Sequence, residues 1–126
     1  MPGIEKRAKG EVEVLSPQEV KEMLDRHEIV LIDVRTPEEY VFEHIRGALL
    51  APMADFDATS LPDQENKRIV FHCGSGKRSL AVSDRCLATG ISRVAHMEGG
   101  FGAWKAAGLP YRTVDPSTGT MVERNG

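Results

Sequence analysis

The residues best placed to do chemistry are Cys73-Gly74-Ser75-Gly76-Lys77-Arg78-Ser79. Upstream, Ile69-Val70-Phe71-His72 reads as a buried strand, and Leu80 to Ala88 downstream reads as a helix. Cys73 therefore sits on a strand-to-helix loop. An ordinary thiol titrates at about 8.5, and a helix N-terminus or nearby cations lower that value. Gly74 and Gly76 let the backbone bend sharply and turn several N–H groups toward one point. Those amides and the following helix start favour negative charge. Lys77 and Arg78 add two full positive charges. Cysteine at a strand end is commonly inert packing. An inert thiol, however, has no use for an anion cradle, so the pattern points to a thiolate nucleophile beside an anion site.

The remaining composition narrows the partners. The 126 residues suit one domain with a true core. The net charge of −3 lacks the basic stripe expected of a nucleic-acid binder, so the positive loop points to a small anion and not to a polymer. Two cysteines do not make a disulfide framework, and a reduced, cytoplasmic setting is expected. Cys86 falls mid-helix and reads as a small core residue. Met1 to Lys9 is charged and has no apolar segment of the signal-peptide kind, and no apolar run is long enough to span a membrane. His27, His44, His72 and His96 show no metal-ligand spacing with the cysteines, so neither a metal nor a cofactor is expected. His72 is a poor base for Cys73, because neighbouring strand side chains point to opposite faces.

The elements that must position the loop can be read in order. Residues 1–10 are polar and read as a flexible end. Glu11 to Leu15 alternates like a short edge strand. Ser16-Pro17-Gln18-Glu19 combines an N-cap, a first-position proline and a capping-box glutamate, which predicts a helix over 17–27. Ile29 to Ile32 is apolar throughout, as in a strand covered by helices on both faces. Thr36-Pro37-Glu38-Glu39 repeats the capping grammar and predicts a helix to about residue 43. Ala48 to Leu50 reads as a short strand. Residues 52–64 read as irregular, with one helical turn near 54–56. Arg93 to Met97 reads as a strand, Phe101 to Ala107 as a helix closed by Gly108, and 113–126 as a tail. Strand–helix alternation predicts one α/β domain over 11–112, with a mainly parallel central sheet flanked by helices on both faces. Ligands of such sheets bind beyond the carboxyl ends of the strands, where Cys73 lies.

Three segments in series resemble the single-domain rhodanese (thiosulfate sulfurtransferase) family. They are Asp33-Val34-Arg35-Thr36-Pro37-Glu38-Glu39-Tyr40 running into His44-Ile45-Arg46-Gly47-Ala48, then Cys73 to Ser79, then Glu98-Gly99-Gly100-Phe101-Gly102-Ala103-Trp104 with Gly108-Leu109-Pro110. Glu43 and Arg46 depart from the glycine and proline the family often carries there. The resemblance implies a persulfide enzyme. Cys73 takes a sulfane sulfur from an anionic donor such as thiosulfate and passes it to cyanide, a thiol or a protein sulfur acceptor. It implies Cys73 and Arg78 as catalytic residues, with Gly74, Ser75, Gly76, Lys77 and Ser79 binding substrate. Asp33 and Arg35 read as supports beneath the loop, and Phe101 and Trp104 as core anchors. Cys-Gly-Ser-Gly resembles the start of a mercaptopyruvate-type loop, but Lys77-Arg78 favour a compact dianion. Three alternatives share these residues: a sulfur carrier in a relay, a rhodanese-like binding module, and a Cys-dependent phosphatase. The phosphatase would need Cys-x5-Arg, and Cys73 to Arg78 is one residue shorter.

Overall fold

The two all-apolar strands predicted from sequence lie side by side at the centre of the sheet. A computed structural model describes residues 3–126. Strand β3 (Ile29–Asp33) pairs in parallel with β6 (Arg68–His72), and β6 with β7 (Val94–Met97). On one flank β7 pairs in parallel with β2 (Gly10–Leu15), and β2 pairs antiparallel with β1 (Gly3–Arg7). On the other flank β5 (Leu49–Leu50) closes the sheet beside β3. The order is β1-β2-β7-β6-β3-β5.

Alternation along these strands builds two cores, one on each face. Leu15, Ile29, Leu31, Val70, Ala95 and Met97 face helices α1 (Pro17–Asp25) and α4 (Gly100–Ala106), where they meet Val20, Phe101 and Trp104. Val12, Ile32, Ile69, Phe71 and Val94 face helix α3 (Lys77–Ala88), where they meet Val82, Cys86 and Leu87. Cys86 is fully buried in that second core, as its sequence position predicts. The capping boxes form at both expected places. Ser16 and Glu19 close α1, and Thr36 and Glu39 close α2 (Pro37–Phe42).

Three sequence expectations change. The stretch read as a flexible end forms β1 from Gly3 onward, where Glu5 lies opposite Val12 across the antiparallel pair; Met1 and Pro2 lie outside the described residues. In consequence β2 is an interior strand and not an edge. The stretch read as a tail forms a hairpin of β8 (Pro110–Val114) and β9 (Met121–Asn125). Together with β4 (Glu43–His44) it makes a second, three-stranded sheet. Both ends are polar because each forms a strand largely exposed to solvent, and backbone pairing holds such strands without an apolar signal. The irregular 52–64 segment holds two short 3-10 turns, at Met53–Asp55 and Ala58–Ser60.

Candidate active site

Parallel pairing brings three sequence-distant points to one sheet edge: Asp33 at the end of β3, Cys73 after β6 and Glu98 to Gly100 after β7. The segment joining β6 to α3 is only Cys73 to Gly76, so the chain must turn tightly. Gly76 makes that turn at φ 104°, a left-handed conformation that favours glycine. The turn aims the Gly76 N–H at Cys73 Sγ, at 3.0 Å. Ser79 Oγ lies 3.7 Å from the same sulfur.

Electrostatics of the thiol follow from this nest. Burial pushes the Cys73 pKa up and is the largest single effect. It is outweighed by the Ser79 amide and hydroxyl together with the amides of Gly76 and Ser75, which leave the thiol below its ordinary value. Cys86 has the burial without the amides, and its thiol is pushed up to about 11. The two cysteines are thus chemically opposite, as their sequence settings suggest.

The rim of the loop is divided. Ser75 and Lys77 are exposed, whereas Cys73, Gly76 and Ser79 are buried. Cys73 itself has 0% exposure. Arg78 is not an open cation. Its Nη1 and Nη2 donate to Glu39 Oε1 and Oε2 at 2.7 and 3.1 Å. The pair lies against Gly74, where a Cβ would stand 3.1 Å from Arg78 Nη2 and 3.9 Å from Glu39 Oε2. The Arg78 guanidinium, with the Thr36 cap, lowers the Glu39 carboxyl to about 2. Lys77 makes no ion pair among the described residues and remains the accessible positive charge.

The third segment holds the loop from behind. The Phe101 N–H donates to the Cys73 carbonyl at 2.7 Å, and the Gly102 N–H to the Gly74 carbonyl at 3.0 Å. This approach is possible only at a glycine: a Cβ on Gly100 (φ +60°) would lie 2.4 Å from the Cys73 carbonyl oxygen. The Gly-Gly pair therefore serves backbone docking against the cysteine.

Beneath the loop, Asp33 and Arg35 form a buried ion pair at 2.8 Å. Arg35 also donates to the Glu43 carbonyl at 2.7 Å and stacks 4.6 Å from the Phe101 ring centroid. His72 meets the Cys73 carbonyl through Nδ1 at 3.3 Å and lies 3.6 Å from Asp33 through Nε2. Burial lowers its pKa, and its contacts make it a strut beneath the backbone. Trp104 is buried and donates its indole N–H to the Pro110 carbonyl at 2.8 Å.

Sequence reasoning assigned no site role to Glu39, His96 or Gly100. Glu39 was accounted for by its capping box, which hid its second partner. His96 Nδ1 lies 2.9 Å from Ser79 Oγ. The available signal was its place at the carboxyl end of β7, where it pairs with Phe71 of β6. Two apolar hollows lie elsewhere. One of about 300 Å³ is lined by Ile69, Phe71, Cys86 and Val94, and an apolar groove is lined by Pro37, Val41, Phe42 and Val114. Neither is lined by Cys73.

A strand-loop-helix cysteine held by a Gly-Gly docking segment, on a mainly parallel sheet, defines the class of protein. Residues 16–107 match the rhodanese-like domain, and the chain belongs to that family. It is 33% identical over 92 residues to the thiosulfate sulfurtransferase GlpE of Coxiella burnetii, covering 73% of this chain and 86% of that one. It is 35% identical to an uncharacterized Synechocystis protein over 76% of this chain, and 32% identical to a Photorhabdus laumondii tRNA uridine(34) hydroxylase over 81%. It spans about half of the former (54%) and about a third of the latter (32%). Among solved structures, a rhodanese-like domain protein from Staphylococcus aureus superposes with a TM-score of 0.62 at 32% identity, covering 72% of this chain and 89% of that one. The rhodanese-like domain of an Anabaena protein gives 0.69 at 24% identity, over 82% and 80%. A Rhodopseudomonas palustris protein described as a possible tyrosine phosphatase gives 0.68 at 29%, over 78% and 83%.

Proposed function

We propose that this chain is a sulfurtransferase that carries a sulfane sulfur on Cys73. The observation behind this reading is the thiol itself: buried, yet held below its ordinary pKa by amides of its own loop. Such a sulfur is a nucleophile near neutral pH. The sulfurtransferase names of relatives, including GlpE, support the same class.

In this mechanism the Cys73 thiolate attacks the outer sulfur of thiosulfate. The Sγ–S bond forms, the donor's S–S bond breaks, and sulfite departs with the bonding pair. The product is a Cys73 persulfide anion. An incoming cyanide or thiolate attacks the terminal sulfur, and the Cys73–sulfur bond breaks to return the thiolate. No net redox partner is needed. The amides of Ser75, Gly76 and Ser79 hold negative charge on either sulfur, which is electrostatic preorganisation. Lys77 attracts the anionic donor at the rim, and Arg78 exchanges its Glu39 partner for the donor's oxygens. Ser75 lines the exposed rim, Gly74 lets the Arg78–Glu39 pair lie against the loop, and the Gly76 N–H donates to the sulfur.

The test is thiocyanate formation from thiosulfate and cyanide by the wild-type chain, by Cys73→Ser and by Cys86→Ser. Turnover abolished only by Cys73→Ser supports the assignment. Hydrolysis of an aryl phosphate without sulfur transfer would replace it with the phosphatase reading, which the short Cys-x4-Arg loop disfavours.

A further inference from the structure

The Ser79 hydroxyl is shared among more acceptors than it has protons. It carries one donor and two lone pairs. Within reach are the Gly76 carbonyl at 3.1 Å, His96 Nδ1 at 2.9 Å and Cys73 Sγ at 3.7 Å. All of these residues are buried. The Gly76 carbonyl already accepts the Leu80 N–H at 3.1 Å, the first turn of α3. A carbonyl oxygen can accept a second hydrogen bond, so the Gly76 carbonyl, the imidazole and the sulfur all compete for the single hydroxyl proton.

Which one wins depends on His96. If Nδ1 is bare, it takes the proton at 2.9 Å and the sulfur receives nothing from the Ser79 hydroxyl. If Nδ1 carries hydrogen, it donates into a Ser79 lone pair, and the hydroxyl proton is left to the Gly76 carbonyl and Cys73, of which a charged sulfur is the stronger acceptor. From this geometry we infer that His96 is a positioning residue for the reaction at Cys73: its Nδ1–H orients the Ser79 hydroxyl toward the thiolate and then toward the persulfide. This rests on Cys73 being the reactive sulfur, and it adds a residue that neither the loop motif nor the chain's charge pattern marks.

The environment of His96 is compatible with a neutral ring. Burial lowers its pKa, while Glu5 on β1 and Glu98 after β7 oppose that effect and Arg7 on β1 reinforces it. Gly76 and Ser79 complete the surroundings on the loop side, with Gly76 close enough that a Cβ there would lie 3.9 Å from His96 Cε1. A neutral ring carries one N–H, so the tautomer is the deciding variable.

Two measurements test the inference separately from sulfur transfer. First, nitrogen chemical shifts of the imidazoles in the wild-type chain report the tautomer. The inference requires Nδ1–H on His96, and a bare Nδ1 there overturns it. Second, the pH profile of Cys73 alkylation by iodoacetamide, read by intact mass, reports the thiol pKa. His96→Leu should move the profile to higher pH, cutting the rate below the midpoint about threefold to tenfold, as expected for one lost hydrogen bond to a charged sulfur. His96→Asn can donate an amide N–H to Ser79 and should restore most of the wild-type profile, and it serves as the readout if His96→Leu fails to fold. In a Ser79→Ala background the His96 substitutions should add no further shift. A wild-type profile in His96→Leu, an unrescued shift in His96→Asn, or an additive shift in the Ser79→Ala background overturns the inference. A wild-type Cys73 that alkylates no faster than an ordinary thiol would instead undo the functional reading beneath it.

Discussion

Glu39→Gln should make this protein a better thiosulfate enzyme. In the structure the Arg78 fork is filled by the Glu39 carboxylate at 2.7 and 3.1 Å, so a dianionic donor must compete with it. Read without screening, a carboxyl lowered from 4.5 to about 2 would correspond to roughly 3 kcal/mol. The two side chains are 35% and 37% exposed, however, and solvent screening reduces such a pair to about 1 kcal/mol. Glutamine keeps the capping interaction with Thr36 and removes the charge. The donor KM should therefore fall roughly fivefold, while kcat changes little, because the cysteine nest is untouched. Thermal stability should fall by a few degrees, the usual consequence of about 1 kcal/mol in a domain of this size. Steady-state thiocyanate production over a range of thiosulfate concentrations reads both constants. A KM that stays constant or rises would refute the competition between Glu39 and the donor.

Three further outcomes follow from the same contacts. Gly100→Ala places a Cβ 2.4 Å from the Cys73 carbonyl oxygen in a left-handed conformation. It should cost about 2–4 kcal/mol in denaturant unfolding and on the order of a hundredfold in kcat/KM through displacement of the loop. Cys86→Ser puts a hydroxyl in an apolar core and should lower stability by about 1–3 kcal/mol. It should leave turnover and iodoacetamide labelling of the folded protein at wild-type levels, since the Cys86 thiol is held at about 11. Acid unfolding should carry the signature of Glu39. Its folded-state pKa is depressed, so its contribution is complete above about pH 4.5 and is lost as pH falls toward about 2. Thermal melts across that window should fall less steeply for Glu39→Gln than for wild type.

The parts of this molecule legible in its sequence are those fixed by local chemistry. Ser16-Pro17 and Thr36-Pro37 name their helices because a cap and a proline act within one turn. Ile29 to Ile32 and Ile69 to Phe71 name the central strands because both faces are buried. Cys73 to Ser79 announces its nest because glycines and a helix start are adjacent in the chain. What stayed hidden depends on distant partners. β1 and β9 are held largely by backbone pairing, which leaves no periodic apolar trace, and β8 buries just Tyr111 and Thr113 on one face, too short an alternation to name a strand. Arg78 looked like an open cation because Glu39 lies far from it in sequence, on a helix whose cap already explained that glutamate. His96 looked like an ordinary strand residue because its partner, Ser79, belongs to a different element.

The most direct measurement is the mass of the intact protein before and after thiosulfate, and again after cyanide. The account predicts a gain of one sulfur atom, its removal by cyanide, and no gain at all in Cys73→Ser. Thiosulfate-treated wild-type protein of unchanged mass, or a gain that survives in Cys73→Ser, would contradict it.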